Sequence, residues 1–250
     1  MYITERPLTF HAIAEALAGG WRTANATRAV SIAYAGVFTA IGAVIMGAML
    51  LAGRTPFVIM AAGAFMLVGP AILAGFFAVA RSVGGGGRVG FVTLMEGFAH
   101  ASTAVWVIAL VCALLFMIFI TDVAILYSYM VGAAPIFPAD FIPVAAHVAS
   151  FVFWGLVSGA VIAFLLFAVS AFSVPLLCER RSNLVEAIVI SVRIVMHNFG
   201  PAMGWALLLS AATIGSILLL PLFPLVLPVM AYASHELYRT VLPDAVADLP

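Results

Sequence analysis

Asp122 lies in the run Phe119-Ile120-Thr121-Asp122-Val123, inside a long apolar stretch, and is the carboxylate placed deepest in such a stretch. A charge in hydrocarbon is costly, so the group must be paired, protonated or turned to a wet cavity. Two chemistries follow. Asp122 either relays a proton or cation across the membrane, or it is a structural hydrogen-bonding group. The candidate partners are His147 at the start of the following apolar run, Arg54 in an outer turn, and Tyr127. Asp122 stands alone in its run, which favours the structural role.

The second set of candidates pairs glutamate with histidine at helical spacing. His11/Glu15 and Glu96/His100 are each four residues apart, and Glu186, Arg193 and His197 fall on one stripe. Residues spaced in this way share a helix face. If the three faces converged, Glu15, Glu96 and Glu186 with their histidines would have the donor set for a divalent metal. If they do not converge, they are solvated polar faces, the commoner outcome for such spacing. The candidate functional groups are therefore Asp122, His147, Glu15, Glu96 and Glu186. No catalytic, cofactor-binding or metal-ligating residue is assigned.

The elements that must position these groups are membrane helices. Hydrophobic residues make up 66% of the 250-residue chain and charged residues 8%. A soluble domain has about a quarter of its residues charged. A span takes about 20 apolar residues, and six fit, at about 30–53, 57–80, 103–130, 146–172, 200–219 and 222–239. Gly69-Pro70 should kink the second. The remaining chain is too short for a soluble domain, so residues 1–250 read as a single integral membrane domain.

Lysine is absent. With six spans, nine of the ten arginines (6, 22, 28, 81, 88, 180, 181, 193 and 239) fall on one side and Arg54 on the other. By the positive-inside rule, both termini and the loops at 81–102 and 173–199 should be cytoplasmic, in an inner membrane. Residues 1–28 show no signal-peptide pattern, so the first span is expected to be an uncleaved anchor. Net charge is zero, and nothing suggests a nucleic-acid partner. The expected partner is the lipid bilayer, with a membrane-protein partner or a second copy also open.

Each pair of spans follows an amphipathic stretch carrying one glutamate. The stretches are 10–23, 90–101 and 183–198, and Glu15, Glu96 and Glu186 are 81 and 90 residues apart. In the first, Phe10, Ile13, Ala14, Leu17 and Trp21 share a face opposite His11, Glu15 and Arg22. In the second, Phe91, Leu94, Met95 and Phe98 oppose Thr93, Glu96 and His100. Such stretches are expected to lie along the cytoplasmic interface with apolar faces down. Between the second span and the second stretch, the run Gly84–Gly87 reads as a flexible linker. The fold expected is an all-α polytopic membrane protein: six transmembrane helices as three hairpins, each preceded by an interfacial amphipathic helix.

Glycines four apart at Gly155/Gly159 and Gly200/Gly204 suggest close helix packing. Cys112 and Cys178 are expected to be unpaired thiols. No phosphate loop, nucleophile elbow, zinc-protease or C-x-x-C motif occurs, so no enzyme activity and no cofactor is expected. Bis-histidine haem ligation is unsupported, because of five histidines only His147 approaches the apolar zone.

The chain also resembles a bacterial family of predicted integral membrane proteins, domain of unknown function 2189. The residues that carry this are Gly20-Trp21, Ser31-Ile32-Ala33-Tyr34, Gly63 to Pro70, Ser173 to Arg180, Ala187, Ser191, Asn198, Pro201 and Tyr238-Arg239. The resemblance runs from Gly20 to Arg239. Where the family carries histidines in its last span, this chain has Tyr232 and Glu236, with His235 one place off. The resemblance implies a fold and a membrane location and no established activity. Two functions stay open: a non-enzymatic accessory, assembly or lipid-interacting protein, or a small-solute or ion transporter using Asp122.

Overall fold

The computed structural model describes residues 6–51, 55–87, 89–99, 101–130 and 146–243. Among these there is no strand. The helices are α1 (Phe10–Ala26), α2 (Arg28–Leu51), α3 (Thr55–Gly84), α4 (Phe91–Ala99), α5 (Thr103–Met130), α6 (Ala146–Ser170), α7 (Ser173–Cys178), α8 (Leu184–His197), α9 (Phe199–Leu218) and α10 (Phe223–Val241). A single 3₁₀ turn, Leu220–Leu222, joins α9 to α10.

Five segments among the described residues are long and apolar enough to cross a membrane: Arg28–Ile45, Thr103–Met130, Ala149–Cys178, Phe199–Ser216 and Leu220–Val241. A shorter apolar stretch, Gly69–Gly84, belongs to α3, which continues through Pro70. Side chains such as Val44, Leu114, Leu156 and Leu207 stand exposed on these helices. Exposed apolar surface on this scale marks a membrane or partner surface.

Local chemistry sets the helix ends. Thr9 and Asn183 cap α1 and α8, accepting from the backbone N–H of Ala12 at 3.1 Å and Glu186 at 2.9 Å, as small polar N-caps do. α3 ends with Gly86 in the left-handed region at φ 70°. Gly86 N–H donates to Val83 O and Gly87 N–H to Ser82 O. That pair of bonds is a Schellman cap, which favours glycine at the left-handed position. The glycine run expected to be a loose linker is thus in part the end of a helix.

Helices α1, α4 and α8 pack in a closed order. α4 packs on α3, α8 on α6, and α1 returns to pack on α10, so the first helix is held by the last. Each contact needs a small residue. A Cβ on Gly20 would lie 2.5 Å from the Ala233 nitrogen, and one on Gly97 would lie 2.6 Å from Ala78 Cβ. In α8, Ser191 is buried and donates its hydroxyl to Ala168 O at 2.7 Å. By contrast, open space surrounds Gly155 and Gly200, while Gly159 faces Phe119 and Gly204 faces Phe10. The tightest approaches are thus elsewhere than at the expected four-residue glycine pairs.

α1 runs antiparallel along α10. Arg6 N–H, just before α1, donates to Val241 O at 2.8 Å and Gly20 abuts Ala233, while at the start of α2 the Ser31 hydroxyl meets that of Tyr232 at 2.6 Å. Its buried face is Ala12, Ile13, Ala16, Gly19 and Gly20. The expected apolar face is thereby split: Ile13 is buried, while Phe10 is 64% and Trp21 63% exposed. The physical reason is backbone proximity. Glycine and alanine let two helices approach to a distance that phenylalanine and tryptophan would prevent.

Around this contact, Tyr34, Phe76 and Tyr232 form a buried aromatic set. Ring centroids lie 5.1 Å apart for Tyr34 and Phe76 and 5.6 Å for Phe76 and Tyr232, the edge-to-face geometry that aromatic quadrupoles favour.

Candidate functional site

α7 positions a buried polar cluster that joins two helices. Ser173, Val174, Pro175, Leu176 and Leu177 are all buried, so this segment, expected to be part of a cytoplasmic loop, is driven into the interior by its apolar side chains. The Ser173 hydroxyl satisfies itself on Val169 O at 2.5 Å. The helix then ends at once. Arg180 N–H donates to Leu177 O and Arg181 N–H to Leu176 O, with Arg180 at φ 54°. This is again a Schellman cap, with arginine where α3 has glycine. The turn sends Glu179 and Arg181 back against α10.

There they meet His235 and Tyr238. Glu179 Oε1 lies 3.0 Å from His235 Nε2, and Oε2 accepts the Tyr238 hydroxyl at 2.8 Å. Arg181 Nη1 donates to Tyr238 Oη and to Leu242 O, both at 2.9 Å, and Nη2 donates to Pro243 O at 3.1 Å. The Arg181 guanidinium is 3.9 Å from the Glu179 carboxylate. Burial pushes the Glu179 carboxyl up. The hydrogen bonds from His235 and Tyr238 and the neighbouring positive charge outweigh burial and hold it below its ordinary value, as hydrogen bonds to a carboxylate do.

His235 is 1% exposed, and its ring centroid lies 5.3 Å from that of Phe77 with the planes tilted. Nε2 serves Glu179, while Nδ1 is buried with no hydrogen-bond partner among the described residues. Chemically this is a carboxylate-held imidazole shut inside the protein. It clamps the α7 turn to α10, and Arg181 ties down the chain just beyond α10.

Sequence reasoning missed this cluster. It placed residues 173–199 in a cytoplasmic loop and admitted only His147 to the apolar zone, whereas His235 is buried within α10. The available signal was a histidine in an apolar helix together with an acid directly after an apolar run.

The predicted groups are placed as follows. Asp122, on α5, accepts a hydrogen bond from the Ser158 hydroxyl of α6. It therefore faces a neighbouring helix, and its partner lies between Gly155 and Gly159. Tyr127 packs edge-on against Phe151 at 5.6 Å. Arg54 and the side chain of His147 lie outside the described residues. Glu15 is exposed 3.5 Å from His11. It lines an open cleft of about 550 Å³ with Arg22, Thr23, Glu236 and Thr240. Glu96 is exposed on α4, and His100 lies outside the described residues. Glu186 is exposed in the first turn of α8, and His197 Nδ1 lies 2.9 Å from Arg193 O. Among the described residues no three His, Cys, Asp or Glu side chains are grouped to hold a metal ion. Cys112 and Cys178 are free thiols.

A second cleft, of about 280 Å³, lies beside the cluster and is lined by Arg81, Ser102, Cys178, Glu179 and Arg180. Arg81 Nη1 donates to Cys178 O at 3.1 Å.

Among known protein families, the one described as predicted integral membrane protein, domain of unknown function 2189, matches residues 57–179. That is a shorter stretch than the resemblance from Gly20 to Arg239. No curated protein and no solved structure matches the chain.

Proposed function

We propose that the protein is a non-enzymatic, lipid-interacting scaffold of a bacterial inner membrane, a reading supported by the match of residues 57–179 to that family of predicted integral membrane proteins. In this reading it has six spans as three hairpins, and both termini and α1, α4 and α8 lie on the cytoplasmic side. Arginine asymmetry supports that orientation.

One observation carries the proposal. Each of α1, α4 and α8 has three sectors around its axis. The first packs on a long apolar helix: α10 for α1, α3 for α4 and α6 for α8. The second is polar and exposed: His11, Glu15 and Arg22; Glu96; Glu186, Arg193 and His197. The third is apolar and exposed: Phe10 and Trp21; Phe91, Val92 and Met95; Val185, Val189 and Met196. The sectors recur in the same rotational order on all three helices. A helix with one face on protein, one to water and one apolar face left over suits the boundary between headgroups and acyl chains. The Asp122–Ser158 bond supports a structural role for the intramembrane carboxylate over a transport relay, since its hydrogen-bonding need is met by a neighbouring helix.

The test is depth-dependent quenching of Trp21 in a variant whose other tryptophans are phenylalanine, reconstituted with brominated lipids. Strong quenching by bromines near the glycerol level is expected. A Trp21 emission that brominated lipid leaves unchanged would sink the proposal.

A further inference from the structure

Two helices of this chain end in the same backbone motif with different residues at its left-handed position: Gly86 after α3 and Arg180 after α7. A side chain is disfavoured there, and glycine is the residue the turn itself prefers. The arginine is therefore explained by its side chain and not by the turn. That side chain lines the cleft of about 280 Å³, together with Arg81 from the end of α3 and Ser102 just before α5.

The chemistry of the cleft is that of an anion site. Arg81 is fixed by one bond to Cys178 O, which uses one of its five N–H donors. Among the described lining residues Glu179 is the one acid. Both its oxygens are engaged, by His235 and Tyr238, and Arg181 stands 3.9 Å away. Its charge is thus balanced from behind, and the two guanidinium groups remain as the net charge of the cleft. The Ser102 hydroxyl, 3.4 Å from Leu177 O, adds a donor that can turn to a ligand. Guanidinium forks match the oxygens of a phosphate group in geometry and charge.

We propose that the cleft between α3, Ser102 and the α7 turn binds a phosphate group, held by Arg81 and Arg180 with Ser102 as a third donor. The group comes either as a phospholipid headgroup or as a soluble phosphate ester. The lipid source deepens the scaffold reading, and the soluble source is independent of it.

Arg180→Gly is the informative variant, because it removes the guanidinium while relaxing the turn. The full-length protein in detergent is examined by native mass spectrometry for retention of phosphatidic acid against phosphatidylcholine. Calorimetry with glycerol 3-phosphate gives the soluble arm. Wild-type protein should bind at least one phosphomonoester probe. Arg180→Gly and Arg81→Gln should each weaken that binding about tenfold or more, with the melting midpoint of Arg180→Gly equal to or above that of wild type. Retention of phosphatidic acid alone identifies a headgroup site, and binding of glycerol 3-phosphate alone identifies a soluble ligand. Wild-type protein that binds neither probe overturns the proposal, as does unchanged affinity in both variants. Unquenched Trp21 would remove the scaffold reading and leave these affinities untouched, so the two failures are distinguishable.

Discussion

Glu179 and His235, 56 residues apart in the chain, meet at 3.0 Å between Oε1 and Nε2. The bond joins the α7 turn to α10, the helix against which α1 also packs, and so ties a middle segment of the chain to its last helix and, through that helix, to its first.

Replacing Glu179 by glutamine keeps the shape and removes the charge facing His235 and Arg181. Loss of a buried charged acceptor should cost about 1–3 kcal/mol, read as a lower melting midpoint in detergent. The carboxyl is held below its ordinary value in the folded protein. Its contribution is therefore complete above the unfolded carboxyl range and is lost as pH falls through the lowered folded value. Wild-type stability should decline on acidification, with a shallower decline in Glu179→Gln. Identical acid limbs would show that another group is responsible.

Helix approach should be sensitive at a few glycines only. Gly20→Ala places a methyl 2.5 Å from the Ala233 nitrogen, and Gly97→Ala places one 2.6 Å from Ala78 Cβ. Overpacking of this kind costs about 1–3 kcal/mol. Gly155→Ala, with nothing within 4 Å of the new methyl, should be neutral or stabilising by up to about 1 kcal/mol. Midpoints of denaturation in a mixed-micelle titration separate the two classes. A destabilised Gly155→Ala would contradict the open space beside it.

The bond between Ser158 and Asp122 predicts that Asp122→Asn is nearly silent, since the amide oxygen still accepts. Ser158→Ala should cost about 0.6 kcal/mol, the average for hydrogen bonds between membrane helices. Proteoliposome flux provides the second readout. Loss of a pH-dependent flux in Asp122→Asn, with the fold intact, would revive the transport reading.

Orientation can be read from exposed polar positions. His11 and Glu186 are exposed on α1 and α8, so cysteines at these two sites should react with a membrane-impermeant maleimide only after the cytoplasmic face is opened. Ser182 is a poor site for this purpose because its hydroxyl is buried. Labelling of either cysteine in sealed right-side-out vesicles would reverse the proposed topology.

Sequence alone determined the all-helical class and several of the long apolar helices. These properties are local: run length and a period of 3.6 residues are set by neighbours a few positions away. Leu94, on the apolar face of α4 by pattern, is fully buried in the structure, while Phe91 and Met95 of the same face are exposed. Tertiary structure decided which of α1's two apolar faces turns inward, because only the small-residue face allows the approach to Ala233. It also decided that Asp122 answers to Ser158, and that Glu179 meets His235. Such pairs depend on how far each helix is rotated and slid against another, and a one-dimensional pattern of apolar and polar positions does not carry that rotation and register.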